Sequence, residues 1–289
     1  MYWLLALAAV CSAGKAVVCK RLGMNDKNSR SVFAWNSGIY LVAAVLSFLS
    51  MYPNFGAVFQ VSGFSFIWAF LFAAFLLFTQ ITEIKAMALG SVSMTLLIFS
   101  GGFLLPIGYG YFCLGESVSV LRCCGIVLMI ISMSFIIRPR KEGDVSWRWV
   151  CMSLLAMVGS GSVAITQKFH QSTVHADELQ SFVTLGLLFA SLFSFIVARV
   201  KQPRGQKPPA LTLRDVEFVA ISGLCIGALN MLNLFLAGKL PAAVQFPVYN
   251  IGSMLLTAMF SLFVLKERYT RSQKLGFVLG CISILLLGL

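Results

Sequence analysis

Charged residues are scarce in this chain. They make up 11% of its 289 residues, only 10 of them are acidic, and 59% of all residues are hydrophobic, with a mean hydropathy of +0.90. One soluble core cannot hide that much apolar surface, so a soluble globular domain is excluded and an integral membrane protein is indicated. The formal net charge of +12 then reflects basic loops beside a membrane, and we expect no nucleic-acid partner.

The motifs of metal, redox and nucleotide chemistry are also missing. The eight cysteines lie almost entirely in apolar stretches without a CxxC pair, the two histidines form no HExxH, and no GxxxxGK[ST] loop occurs. The sequence therefore predicts no metal, no cofactor and no ATP drive. A serine nucleophile could be sought in Gly159-Ser160-Gly161, but both histidines fall in or beside the polar loop after it. An intramembrane enzyme is the least favoured reading, and we expect no enzymatic activity.

Most of the chain consists of apolar stretches long enough to cross about 30 Å of hydrocarbon. Ten can be counted, separated by short polar breaks with no room for a soluble domain. The sequence predicts an all-α integral membrane protein with ten transmembrane helices. The predicted spans begin near Tyr2, Val32, Gly63, Ser91, Leu121, Arg148, Glu178, Val216, Ala242 and Gln273.

The second half of the chain repeats the first. Residues 101–132 align with residues 252–283 at a constant offset of 151, without a gap, pairing Gly101 with Gly252, Gly125 with Gly276 and Ser132 with Ser283. Each copy holds five spans, and an odd number leaves the second copy inverted in the membrane, as in many secondary transporters. We expect a first five-helix repeat over residues 1–140 and an inverted second repeat over residues 145–289.

Basic residues are distributed unequally between the two sides. With loops assigned alternately, the odd-numbered loops carry 18 Lys and Arg and the even-numbered loops carry 3. Because basic loops stay in the cytoplasm, both termini are predicted outside, in a multi-pass protein of the cell membrane. Matched loops of the two copies exchange high and low charge, as inversion requires.

The ends of the two copies resemble a known superfamily. Each has an apolar helix, a Glu at a turn and a Gly-containing final helix: YFCLGESVSVLRCCGIVLMIIS over residues 111–132 and LFVLKERYTRSQKLGFVLGCISILLL over residues 262–287. This is similar to the drug/metabolite transporter (DMT) superfamily, in particular its EamA-type members of two five-helix repeats. The resemblance implies transport of small organic solutes such as amino acids, sugars, nucleosides, amines or drugs.

Two ionisable residues lie inside predicted spans, where a charge is costly unless it faces a cavity or a partner. Lys15 either extends its ammonium to the cytoplasmic interface or neutralises an anionic or zwitterionic substrate inside a cavity. Glu83 either pairs with Lys85 or Lys15 or takes up and releases a proton in each cycle. The positions offset from this pair in the second copy, Val163 and Leu234, are neutral.

Polar stripes run along several other spans. They either line a hydrated vestibule and bind substrate or make interhelical hydrogen bonds. The remaining substrate-binding candidates are Trp35, Asn36, Thr95, Asn230, Asn233, Gln245 and Tyr249. Pro106 and Pro247 interrupt spans four and nine, where each is either a gating hinge or a static kink.

These features together predict a secondary active transporter of a small organic solute that works by alternating access and is a monomer in the lipid bilayer. The alternatives are a facilitative channel and a lipid or metabolite flippase. The sparse acidic lining argues against a multivalent cation as substrate.

Overall fold

The computed structural model describes residues 2–24, 29–90, 92–115, 119–137, 146–200, 213–237, 253, 256–257 and 270–288. The secondary structure within these ranges is helical, with no strand. Predicted helix starts that fall in them agree with the observed ones to within about one turn. The predicted ninth span, which begins near Ala242, lies outside the described residues.

Ten α-helices and three short 3-10 helices occur in the described ranges. The 3-10 helices are Phe55–Phe59, Gly101–Phe103 and Ala176–Glu178. The α-helices, numbered in chain order, are α1 (Tyr2–Met24), α2 (Ser29–Leu49), α3 (Gly63–Leu89), α4 (Val92–Ser100), α5 (Leu104–Leu114), α6 (Val120–Ile137), α7 (Trp147–Gln171), α8 (Leu179–Val200), α9 (Leu213–Ala237) and α10 (Arg271–Gly288).

Within the part of the chain that the structure describes, six stretches are long and apolar enough to cross a membrane, judged by length and composition. They are Val32–Leu49, Gly63–Leu89, Met94–Leu114, Trp147–Gln171, Ala176–Val200 and Val216–Leu236. The described parts of α1 and α6 that qualify as apolar are shorter, at Trp3–Ala16 and Cys123–Ser132. Large apolar side chains also point outward, for example Ile67 on α3, Ile130 on α6 and Val278 on α10. Outward apolar surface on helices of this length is what a lipid environment requires.

Helices α6 and α10 pack antiparallel, and two of the hydrogen bonds between them are reciprocal. The Ser132 hydroxyl donates to the Gly276 carbonyl at 2.6 Å, and the Ser283 hydroxyl donates to the Gly125 carbonyl at 2.7 Å. Adding 151 to Ser132 gives Ser283, and adding it to Gly125 gives Gly276. Each bond is therefore the image of the other under the sequence repeat.

Helices α2 and α8 form a second antiparallel pair from the two halves. Near one end the Asn36 amide donates to the Ser194 hydroxyl at 3.2 Å, and near the other the Ser47 and Thr184 hydroxyls lie 2.8 Å apart. Tyr40, Phe72 and Phe182 are among the fully buried side chains of the core around this pair.

Helix α7 crosses α3 in close contact. An ideal Cβ on Gly159 would lie 2.6 Å from Thr79 Oγ1 and 3.2 Å from the Thr79 Cα, so any larger residue would push the two helices apart at this crossing. Farther along the same pair, the Ser65 hydroxyl and His170 Nε2 are 2.9 Å apart. Since Ser65 precedes Thr79 whereas His170 follows Gly159, the two helices run antiparallel. This crossing brings the inner faces of α3 and α7 to the same cavity.

Candidate functional site

A cavity of about 100 Å³ lies between helices of both halves. Helices α1 to α4 and the 3-10 turn Gly101–Phe103 contribute from the first half, and α7 and α9 contribute from the second, together with Ser253. The described lining residues are Ser12, Lys15, Tyr40, Leu76, Thr79, Glu83, Leu96, Phe99, Ser100, Phe103, Ser160, Val163, Ala164, Gln167, Ile226, Leu229, Asn230, Asn233 and Ser253.

An ion pair inside this cavity joins α1 to α3. Lys15 Nζ lies 2.8 Å from Glu83 Oε2, and the side chains are 16% and 1% exposed. The ammonium also lies 5.1 Å from the centroid of the Phe99 ring, within cation–π range. Lys15 thus turns inward to a buried carboxylate and does not extend to the interface. Lys85, the other partner considered for Glu83, is exposed.

Amides and hydroxyls occupy the facing wall. The Asn230 amide donates to the Ile226 carbonyl of its own helix at 2.9 Å, and Asn233 lies one turn beyond it. The Ser12 and Ser253 hydroxyls, from opposite halves, are 2.9 Å apart. Gln167 on α7 is 3% exposed, and its Nε2 has no hydrogen-bond partner among the described residues. The cavity therefore combines one compensated ion pair with neutral polar groups.

Three predicted binding residues lie outside the cavity lining, in contacts between helices. Asn36 donates to Ser194, and Thr95 accepts a hydrogen bond of 2.9 Å from the Trp149 indole. The Trp35 ring meets Phe218 edge-on, with 6.4 Å between centroids. Of the other candidates, Lys15, Glu83, Asn230 and Asn233 are brought together in the cavity.

The fourth predicted span contains a 3-10 turn close to Pro106. The 3-10 turn Gly101–Phe103 separates α4 from α5, and buried Pro106 lies in the first turn of α5, where a missing N–H is tolerated. The break therefore precedes Pro106. Gln245, Tyr249 and Pro247 lie outside the described residues.

Sequence reasoning missed part of the cavity wall, most clearly Gln167. Neutral residues gave no signal of the kind that marked Lys15 and Glu83. A helical period was nevertheless present, because Ser160, Val163 and Gln167 follow the i, i+3, i+7 spacing of one helix face. That spacing, read from a cavity-lining serine, would have predicted Gln167.

Ser160 has no histidine beside it among the described residues. Its hydroxyl donates to the carbonyls of Phe99 and Met157, whereas His170 Nε2 meets Ser65. His170 belongs to a polar cluster at the far end of α7, where Glu178 accepts hydrogen bonds from the Ser62 amide and hydroxyl at 3.0 and 2.8 Å. This arrangement does not resemble a serine–histidine nucleophile.

The apolar spans and the polar cavity between them define a multi-pass membrane protein. Residues 147–289 match the sequence profile of the EamA-like transporter family, so this half of the chain is an EamA-like transporter domain. The match is consistent with the drug/metabolite transporter superfamily. No curated protein matches the sequence. One solved structure, described as "Crystal structure of protein", is similar over 96% of this chain and 95% of its own, with 11% identity and a TM-score of 0.63. At that identity the likeness concerns the fold alone.

Proposed function

We propose that this protein is a secondary active transporter that moves a small organic solute through its central cavity by alternating access. The observation that carries the proposal is the buried Lys15–Glu83 pair in a cavity walled by helices of both halves. Burying a charge pair inside a membrane costs several kcal/mol of desolvation. Charged residues inside membrane spans therefore mark solute or ion pathways in many membrane proteins. The EamA-like domain supports a transporter of small solutes.

The architecture that we propose is two inverted five-helix repeats, residues 1–140 and 145–289, ten transmembrane helices in all. The reciprocal serine bonds between α6 and α10 support it, because each bond is reproduced by the same offset of 151 that aligns the two halves. Inverted repeats exchange their conformations when the carrier switches sides, and this gives alternating access around a fixed site.

The distribution of basic residues supports an orientation in which both termini lie on the outer side of the cell membrane. We propose that the protein functions as a monomer, because its cavity is built from the two halves of a single chain. The Glu83 carboxylate and the Lys15 ammonium are the groups that would meet a polar solute.

Counterflow in reconstituted vesicles tests the function. Proteoliposomes that contain a saturating concentration of unlabelled metabolite are diluted into trace labelled metabolite, across a panel of amino acids, sugars, nucleosides and amines. An alternating-access carrier accumulates label transiently above the outside concentration, because outward and inward trips are linked. Label that only equilibrates would indicate a channel. Uptake equal to that of protein-free vesicles for the whole panel would contradict transport of these solutes.

A further inference from the structure

Gln167 is a buried hydrogen-bond donor in the cavity wall that nothing else in the site uses. Its side chain is 3% exposed, it lines the cavity, and Nε2 has no acceptor within the described parts of the chain. Leaving a buried donor unsatisfied destabilises the folded protein, because the donor loses its hydrogen bond to water. The donor faces a cavity, however, and a molecule bound there could supply the missing acceptor. That would explain why a polar side chain occupies this buried position.

The position of Gln167 separates it from the ion pair. Helices α3 and α7 run antiparallel and touch at Thr79 and Gly159. Glu83 follows Thr79 by four residues and Gln167 follows Gly159 by eight, in opposite directions, so their Cα atoms differ by about 18 Å along the helices at 1.5 Å per residue. Gln167 and the Lys15–Glu83 pair therefore mark two ends of one cavity.

The charge of the wall limits what can bind. Among the described lining residues, Lys15 and Glu83 are the charged ones, and they neutralise each other at 2.8 Å. A solute with a net charge would lose its hydration on entering the cavity and would find no opposite charge there to compensate. This is costly in a low-dielectric site. A solute with no net charge avoids that cost and still satisfies polar groups at both ends.

We infer that Gln167 is a substrate-binding residue that donates from Nε2 to an oxygen acceptor of a polar solute with zero net charge. The Lys15–Glu83 pair holds the other end of the cavity and discriminates against net charge. This inference rests on the proposed transport function and specifies its substrate class, which covers zwitterions and uncharged polar molecules.

The test uses vesicles loaded with the soluble metabolites of yeast extract, diluted into buffer at pH 7. Mass spectrometry identifies the species that leave faster than from protein-free vesicles, and so separates a zwitterion from an uncharged molecule. The inference predicts that these species carry no net charge and at least one oxygen acceptor. It also predicts that Gln167→Met, which keeps the length but removes the donor, lowers their efflux by about tenfold or more, the equivalent of one lost hydrogen bond.

Two variants on the same helix are matched controls. Ser153→Ala removes another buried hydroxyl without a partner in the described residues, away from the cavity. Thr166→Val changes the neighbour of Gln167, whose hydroxyl donates to its own helix at Ser162. Both should transport like the wild type. Gln167→Met should unfold at the wild-type temperature or above it, because an unsatisfied donor is gone.

The inference would be overturned if the wild type exported species with a net charge. It would also be overturned if efflux from Gln167→Met remained at half the wild-type rate or more. Gln167→Asn keeps an amide donor and should retain more efflux than Gln167→Met. Equal loss in both variants together with a lower unfolding temperature would assign Gln167 to packing. If the wild type itself releases nothing faster than protein-free vesicles, the proposed function fails, and the inference fails with it.

Discussion

At the scale of single residues, the Lys15–Glu83 pair is the feature on which the site depends. The sequence identified both members because a charge inside an apolar span is conspicuous, and it offered Lys15 and Lys85 as alternative partners of Glu83. It could not choose between them, since 68 positions separate Lys15 from Glu83 and no local rule spans such a distance. Gln167 was not among the predicted residues, although neutral amides on other spans, such as Asn230 and Asn233, were. Asn36 and Thr95 lie on predicted polar stripes, yet a stripe does not tell whether its face meets a cavity or another helix, and here both meet helices.

The ion pair gives a prediction that separates stability from transport. Lys15→Met leaves the Glu83 carboxylate buried at 1% exposure without its partner, and breaking a buried pair costs about 3–5 kcal/mol. We expect a marked fall in the thermal unfolding temperature of the purified protein and loss of counterflow. Lys15→Met with Glu83→Gln removes both charges and should regain most of the stability, but not the transport.

The contrary outcomes are specific. Wild-type counterflow in the double variant would show that the charges are structural. An unchanged unfolding temperature in Lys15→Met would mean that the pair contributes nothing to the fold. Lys85→Met, at an exposed position two residues from Glu83, is the control and should alter neither property.

At the scale of elements, the contact of the α4–α5 break with α7 shapes the cavity. A Cβ on Gly102 would meet Ser160 Oγ and the Met157 carbonyl and would lie 3.0 Å from the Gly161 nitrogen. Two of these are backbone atoms, which cannot move aside without shifting a helix. The sequence predicted that Pro106 interrupts the fourth span, but it could not identify α7 as the helix that packs against the turn.

Gly102→Ala should therefore destabilise the protein by about 1–3 kcal/mol, the usual cost of overpacking. It should also impair transport, because Ser100, Phe103 and Ser160 line the cavity beside it. Gly108 on α5 is the matched control: its Cβ would have nothing within 4 Å. Gly108→Ala should leave stability unchanged or raise it by about 0.5–1 kcal/mol. Equal unfolding temperatures for the two alanine variants would refute the close contact.

At the scale of the whole molecule, the reciprocal bonds between α6 and α10 relate the two halves. The repeat of these serines and glycines is visible in the sequence. The hydrogen bonds between the two copies are visible only in the structure. The full helix count and the ninth span remain predictions, because residues 238–252 lie outside the described ranges.

Because the two hydrogen bonds are reciprocal, Ser132→Ala and Ser283→Ala should lower the free energy of unfolding by similar amounts. Each removes one buried interhelical hydrogen bond, so each should cost about 0.5–1.5 kcal/mol, and the double variant should lose the sum within about 0.5 kcal/mol. Ser134→Ala is the control on α6, because its exposed hydroxyl donates to Ile130 of the same helix. Denaturant unfolding of the wild type and these four variants measures the differences. A cost in one single variant and none in the other would break the equivalence.

Inversion of the two halves can be tested by membrane topology. A short epitope tag is placed before Met1, before Ser146 between the halves, or after Leu289, one per variant, and protease is added to intact cells. An odd number of spans per half places the tag before Ser146 on the side opposite to both end tags, and the basic loops place it inside. We expect both end tags to be cleaved and the middle tag to be protected. A middle tag on the same side as either end would contradict the inverted repeat.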